Sequence, residues 1–340
     1  MPEHWVVFMQ AMAGGTPVVV DRFRFLSADD WLMAVGYPLA ESGGPEELSL
    51  EDAANPAIMP AFEAALDEAL NRTSARDCWV VAPDLPESLT VHEDNRDAFY
   101  ILDADAPVPG PLRGPISAAR KRLRVTENEE FTPEHRRLWA EFLSRTSMRP
   151  NVRELYARTE AALAAAASFE KRPGSGGTTN PPLLDLRLLS AWDTEGRLTA
   201  SLLLDYSPNR FCSYIIGAHS RTHYSPHATE LLFAVMLERC GGPGKRFIHL
   251  GLGVSDGIAR FKRKWGGRSA LPYLMAGWSR NPGSRESRSI SSANSEIGDA
   301  LRSFLQTPPD MSKQQIFDSF PKQRTFAMIR EVEKNGAVSY

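Results

Sequence analysis

The apolar run from Arg246 to Leu252, RFIHLGL, has the composition of a strand covered on both faces, and Gly251, Gly253 and Gly257 follow it as a tight turn. From Ile258 to Trp265 the pattern changes. Arg260, Lys262, Arg263 and Lys264 interleave there with Phe261 and Trp265, the spacing of a short helix with one apolar and one cationic face. A second strand runs on to Trp278. Strand, glycine turn, basic helix, strand is an order that places chemistry at a strand end.

Upstream, Leu198 to Tyr206 and Phe211 to Ala218 read as two strands joined at Ser207 to Asn209. Ser225 and Pro226 then announce a helix carried by Leu231, Leu232, Val235 and Met236. Helices are predicted over 116–124, 132–146 and 151–168, and KRPGSGGTTNPP reads as a flexible loop before the strands. Towards the N-terminus, Val6–Met12 and Thr16–Phe25 read as strands around Gly14 and Gly15, Asn55–Asn71 as a helix and Asp77–Ala82 as a buried strand. The segment 41–52 reads as loop, Ala98–Leu102 leads out of this first region, and APVPGPLRGP reads as a stiff proline-rich connector.

The run from Leu183 to Trp278 resembles the C-terminal half of a GNAT acyltransferase domain. More narrowly it is similar to the Fem-type branch, whose members carry two GNAT-like domains and an F-K-x-x-[FW]-G signature, here Phe261, Lys262, Trp265 and Gly266. The basic helix and the helix after it, from Gly114 to Arg145, extend the resemblance to about 107–278. The fold implied is α/β (α+β): tandem GNAT-like domains, each a mixed twisted sheet flanked by helices. The predicted division is a divergent N-terminal GNAT-like domain over 1–106 and a GNAT acyltransferase domain over 107–278. A serine-rich linker, short helices and a terminal hairpin fill 279–340, and residues 321–340 read as the start of a truncated further domain or as a hairpin completing this fold's own sheet.

The resemblance implies an N-acyltransferase or aminoacyltransferase that takes an acyl group from acyl-CoA or aminoacyl-tRNA and passes it to a small-molecule or peptide amine. It places the splay of two strands, where the donor carbonyl lies, between 198–206 and 211–218. It also places the donor's polar end at Tyr224, Ser225, His227, Ala228 and Thr229, where a helix N-terminus favours anions. CoA-dependent GNAT enzymes have [RQ]-x-x-G-x-[GA] at that turn; this chain has His223-Tyr224-Ser225-Pro226-His227-Ala228 and lacks the glycine. That departure weakens acetyl-CoA and is compatible with another activated donor.

Lys262 is the first candidate catalytic side chain, as a cation near the donor, with a solvated helix lysine as its plain alternative. Phe261 is a donor-side candidate or a core aromatic. Asp256 is a proton acceptor for the incoming amine or the N-cap of the helix that follows. His227 or His249 is a candidate general base, with no partner for either visible in the sequence. The cluster Arg120, Lys121, Arg122, Arg124 reads as a phosphate contact or as a solvated face. His219, His223 and His227 recur every four residues, but Ser225 and Pro226 interrupt any helix through them, and no metal is expected. GLGVSDG fails as a dinucleotide loop because its third glycine comes one residue late.

Composition adds limits to this picture. The chain has 340 residues, 42% hydrophobic and 24% charged, enough for two soluble domains. Its net charge of −3 supplies no overall field for nucleic acid or anionic lipid, so a polyanion needs a local patch. Cys78, Cys212 and Cys240 sit in apolar surroundings with no C-x-x-C pair, the pattern of buried thiols in a reducing compartment. No apolar run reaches the length of a membrane span, so the expectation is a cytoplasmic protein. The competing class is a non-catalytic GNAT-fold module that recognises a peptide or nucleotide.

Overall fold

A computed structural model describes residues 15–28, 30–38, 58–73, 75–145, 150–170, 184–208, 210–241 and 244–279. The strand expected at 6–12, the loop at 41–52, the serine-rich linker and everything expected beyond it lie outside the described residues. Described strands are β1 (Thr16–Val20), β2 (Phe23–Ala28), β3 (Trp31–Val35), β4 (Asp77–Ala82), β5 (Glu93–Asp103) and β6 (Arg124–Asn128). They continue with β7 (Leu186–Trp192), β8 (Leu198–Asp205), β9 (Phe211–His219), β10 (Phe247–Leu252) and β11 (Arg268–Ser279). The α-helices are α1 (Ile58–Arg72), α2 (Gly110–Arg120), α3 (Pro133–Arg145), α4 (Pro150–Glu170), α5 (Ala228–Cys240) and α6 (Asp256–Lys264).

The chain divides into two compact units that no single cut in the sequence separates. One takes in Phe99–Thr146 and Tyr156–Ala270; the other is built on described residues up to Ala98 and from Leu271 onward. In the second unit β1, β2 and β3 form an antiparallel meander, α1 crosses over, and β4 lies parallel to β3. β11, from the far end of the chain, pairs antiparallel with β4 through Leu274–Ser279. The first unit repeats this plan. β6, β7, β8 and β9 are antiparallel, α5 crosses over, β10 runs parallel to β9, and Phe99–Asp103 of β5 closes the outer side of β10. Two units, each with mixed strand pairing on one plan, are the tandem α/β architecture that the sequence resemblance implied.

Each unit is held by its crossover helix. α5 is buried nearly all round, with Leu231, Leu232, Phe233, Val235, Met236 and Leu237 in one core with Leu202, Leu204, Ile248 and Trp265. α1 buries Phe62, Leu66 and Leu70, with Phe23 and Phe25 against the Phe62 ring. At ~25 cal/mol per Å² of apolar surface removed from water, such faces dominate the folding balance of each unit.

Three local expectations change. Only residues 106–109 of the proline-rich segment connect; from Gly110 it is helix: Leu112, Ile116 and Ala119 fall at helical spacing and are buried, and Pro111 in the first turn costs no hydrogen bond. β3 is a strand that the sequence reading passed over. Its five residues, WLMAV, are all buried, so it lacks the alternation that marks a half-exposed strand. The cysteines are not all thiols: Cys212 of β9 and Cys240 of α5 form a disulfide, and Cys78 is a buried thiol.

That disulfide closes a 28-residue separation spanning β9 and α5. Chain-entropy arithmetic for a loop of this size gives roughly 3–4 kcal/mol. Thermal melts with and without a reductant that reaches the unfolded chain are expected to differ by several degrees, and the Cys212→Ala/Cys240→Ala variant to show no difference. Equal melting of the wild type under both conditions contradicts the bridge.

Candidate active site

The two units differ at their parallel strand pairs. In the second unit β3 and β4 stay paired over five positions, Trp31↔Asp77 to Val35↔Val81, and Gly36 N–H continues the ladder to the Val81 carbonyl at 2.8 Å. In the first unit β9 and β10 pair only at Phe247↔Phe211, Ile248↔Cys212 and His249↔Ser213. β9 then runs on to His219 with no ladder partner on β10. The strands therefore part towards their carboxyl ends, the side on which open α/β sheets bind ligands.

This corrects the expected position of the splay. β8 and β9 are joined throughout, from Asp205↔Ser213 to Ala200↔His219, with one irregularity at Leu203/Leu204. Their hairpin is tied at its turn: Asp205 accepts from the Ser207 N–H at 2.8 Å and from the Ser207 hydroxyl, and Lys245 donates to the Tyr206 carbonyl at 2.7 Å. Burial pushes the Asp205 carboxyl up to about 6, against the pull of those Ser207 bonds. β9 and β10 are joined only through a helix, so they are free to diverge.

What turns β10 away is local. Its register with β5 slips between His249 and Gly251, a bulge, and Gly251 sits at φ +77°. Gly253, Val254 and Ser255 then make a three-residue turn in which the Ser255 N–H reaches the Gly253 carbonyl at 2.6 Å, with Val254 at φ +60°. A β-branched residue in that region is an outlier, of the kind that collects at functional sites. Ser255 caps α6 by accepting the Ile258 N–H at 3.4 Å, so the N-cap is Ser255 and not Asp256.

The candidate residues divide around this turn. His249 is buried on β10; its Nδ1 accepts the Gly251 N–H at 3.1 Å and its ring lies 5.2 Å from that of Phe99. Lys262 is 4% exposed, not a solvated lysine. Its Nζ donates to the Leu252 carbonyl and lies 5.6 Å from the centre of the Tyr100 ring. Both side chains thus hold the β10–α6 turn. Asp256 is exposed in the first turn of α6, six residues and about 9 Å of helix rise before Lys262, so the two are not neighbours. Phe261 packs edge-on against Phe233 of α5 at 4.9 Å, a core contact.

At the other helix, His227 is the residue before α5, exposed and at φ +65°, and its side chain makes no cap bond. Tyr224 is 65% exposed, Ser225 and Thr229 are half-buried, and buried Ala228 sends its N–H to the Ser225 carbonyl at 3.3 Å. Glu230, in the first turn, lies 3.3 Å from Lys264 of α6 and 3.9 Å from His227. The basic cluster of α2 is partly engaged by the same helix: Arg120 pairs with Glu238, and Arg122 reaches the Pro226 carbonyl at 3.4 Å.

Several residues at the site carried no mark in the sequence. Tyr156 of α4 is buried and donates its hydroxyl to the Gly217 carbonyl on the part of β9 that has no partner on β10, and burial raises its pKa well above the ordinary value. Arg145 donates to the His219 carbonyl at the end of β9. Glu141 of α3 accepts from the Ser220 hydroxyl at 2.6 Å, the Arg221 N–H at 2.6 Å and the Thr222 N–H at 3.1 Å. Among the described residues no group of three or more His, Cys, Asp or Glu side chains is placed to hold a metal ion, and no helix is long and apolar enough to cross a membrane.

No protein-family model and no curated protein matches the chain. Similar solved structures include the C-terminal (DUF2156) domain of a putative lysylphosphatidylglycerol synthetase from Agrobacterium fabrum, at 12% identity, covering 80% of this chain and 85% of that one with a TM-score of 0.45. A tandem GNAT protein from the clavulanic acid biosynthesis pathway is 12% identical over 76% of this chain and 79% of that one, TM-score 0.43. FemX is 12% identical over 76% and 87%, TM-score 0.46. At such identities the likeness is one of fold, and activity is not carried across it.

The strained turn generates a prediction. Val254→Gly is expected to stabilise the protein by up to about 1 kcal/mol in urea unfolding, since relief of the positive φ outweighs the added unfolded-state entropy. A loss of stability would show that the half-exposed valine side chain, not its backbone, is what the site needs.

Proposed function

We propose that the chain is an acyltransferase that joins the acyl group of an activated donor to an amine in the opening between β9 and β10. The observation that carries this reading is the ladder that stops after three pairs in one unit and continues over five in the other. Backbone N–H groups along the parted strands offer donors for the oxyanion of a tetrahedral intermediate. The amine nitrogen attacks the donor carbonyl carbon and a C–N bond forms. The C–O or C–S bond to the leaving group then breaks, its electron pair going to oxygen or sulfur. The proton lost by nitrogen passes through Asp256 or water to that leaving group.

In this reading Lys262 and His249 are positioning residues: one fixes the Leu252 carbonyl, the other the Gly251 N–H, and together they keep β10 turned out. The segment Tyr224–Thr229 meets the polar end of the donor, and Phe261 supports it from beneath through Phe233. Two carboxylates bear on the donor's identity. Glu230 stands in the first turn of α5 and Glu141 takes two amides of the preceding loop, so this end favours a donor without a diphosphate. An aminoacyl ester such as aminoacyl-tRNA fits better than acyl-CoA, and the acceptor is a small-molecule or peptide amine.

The test is turnover of radiolabelled aminoacyl-tRNA and acyl-CoA with a panel of amines, for the wild type and for Lys262→Met. The variant keeps the apolar stem but loses the charged hydrogen bond, so about 1.5–3 kcal/mol of stability goes. A fall of roughly 10- to 100-fold in kcat with KM little changed is expected. Absence of turnover with every donor, from a folded wild type that still binds one of them, would make the chain a binding module instead.

A further inference from the structure

The loop between β9 and α5 is built like a site for an oxyanion, and the chain's own carboxylate fills it. Three donors converge on Glu141: the Ser220 hydroxyl at 2.6 Å and the backbone N–H groups of Arg221 at 2.6 Å and Thr222 at 3.1 Å. Successive backbone N–H groups pointing into one concavity are the usual protein device for holding phosphate. The donor atoms are themselves fixed: Ser220 N–H is bonded to the Thr199 carbonyl at 2.8 Å, and its Oγ also accepts the His223 N–H at 2.8 Å. Two guanidinium groups complete the surroundings. Arg145 is anchored on the His219 carbonyl, and Arg145 and Arg221 are close enough to repel each other while Glu141 attracts Arg145.

Burial pushes the Glu141 carboxyl up, but the Ser220, Arg221 and Thr222 bonds outweigh it and hold the group below its ordinary value. It is therefore ionised at neutral pH, and its single charge offsets part of the positive charge of two arginines in a half-buried place. A second carboxylate stands at another anion-attracting point, the first turn of α5, where Glu230 lies 3.3 Å from Lys264. Both positions at which a diphosphate would gain most are thus occupied by carboxylates of the protein.

We propose that Glu141 is a specificity-determining residue: it occupies the oxyanion donors of residues 220–222 and turns diphosphate-bearing donors away from the site. This rests on the acyl-transfer reading for its meaning, but not for its measurement. The probe is inorganic pyrophosphate, titrated by calorimetry into the full-length wild type, Glu141→Ala and Glu141→Gln, with circular dichroism as the check on folding. Glu141→Ala releases three donors and two arginines and is expected to bind pyrophosphate at least tenfold more tightly than the wild type. Glu141→Gln, which keeps the shape and one acceptor oxygen but not the charge, is expected to fall between them.

Coenzyme A is the second probe and is expected to show the same order. A folded Glu141→Ala with no gain for either probe overturns the proposal, as does a wild type that already binds pyrophosphate as tightly as the variant. If Glu141→Ala does not fold, Glu141→Gln decides; if neither folds, the carboxylate is a strut of the α3–β9 junction and the proposal falls. Because binding is read without turnover, a gain of pyrophosphate binding in a protein that transfers no acyl group would sink the acyl-transfer reading alone.

Discussion

Everything proposed for this chain depends on β10 leaving β9 after three ladder pairs. A parallel pair connected through a buried crossover helix has no reason of its own to open, and the equivalent pair in the second unit does not. The opening is imposed at one point, where the bulge after His249, Gly251 at φ +77° and Val254 at φ +60° bend the chain into α6. That conformation carries strain, and strain persists only where the surroundings over-determine it. The surroundings here are a histidine ring accepting the Gly251 amide, a buried lysine on the Leu252 carbonyl, and Trp265 packed on Phe233 beneath the helix.

The electrostatics of the same end are balanced from within. A helix N-terminus, a loop of convergent amides and several arginines and lysines would together attract a highly charged ligand. Glu230 and Glu141 are interposed in both places. The positive charge at this end is thus partly balanced from within, which in the proposed reading suits a carbonyl that gains negative charge only as the reaction proceeds.

Much of the frame was legible in the sequence, and the reasons are physical. α5, β10 and α6 announced themselves because uninterrupted apolar runs and a sharp amphipathic pattern have few alternative readings. The cationic helix leaves Lys262 open as a donor-side cation or a solvated lysine, and the structure puts it on the buried side, since helical spacing alone does not say which of the four cations turns inward. Two errors came from local rules overridden by packing. Proline density in 106–115 argued for a connector, whereas the Leu112–Ile116–Ala119 face makes a helix; and the all-apolar β3 had no alternation to betray it. The splay was assigned to the wrong strand pair because a hairpin and a crossover pair look alike in hydropathy, although only the crossover pair can part. Glu141, Tyr156 and Arg145 could not have been found, for they meet β9 and its loop from more than sixty residues away, and nothing in their own neighbourhoods marks them.

The central claim is that the donor enters between β9 and β10. Hydrogen–deuterium exchange of the full-length protein, alone and with a non-hydrolysable aminoacyl-ester analogue, tests it directly. The account predicts that, on β9 beyond Ser213 and on β10 beyond His249, the amides directed into the opening rather than bonded to β8 or β5 exchange faster than those of β3 and β4 in the free protein and slow selectively when the analogue binds. Slow exchange of those amides in the free protein, or protection confined to other strands on binding, would contradict it.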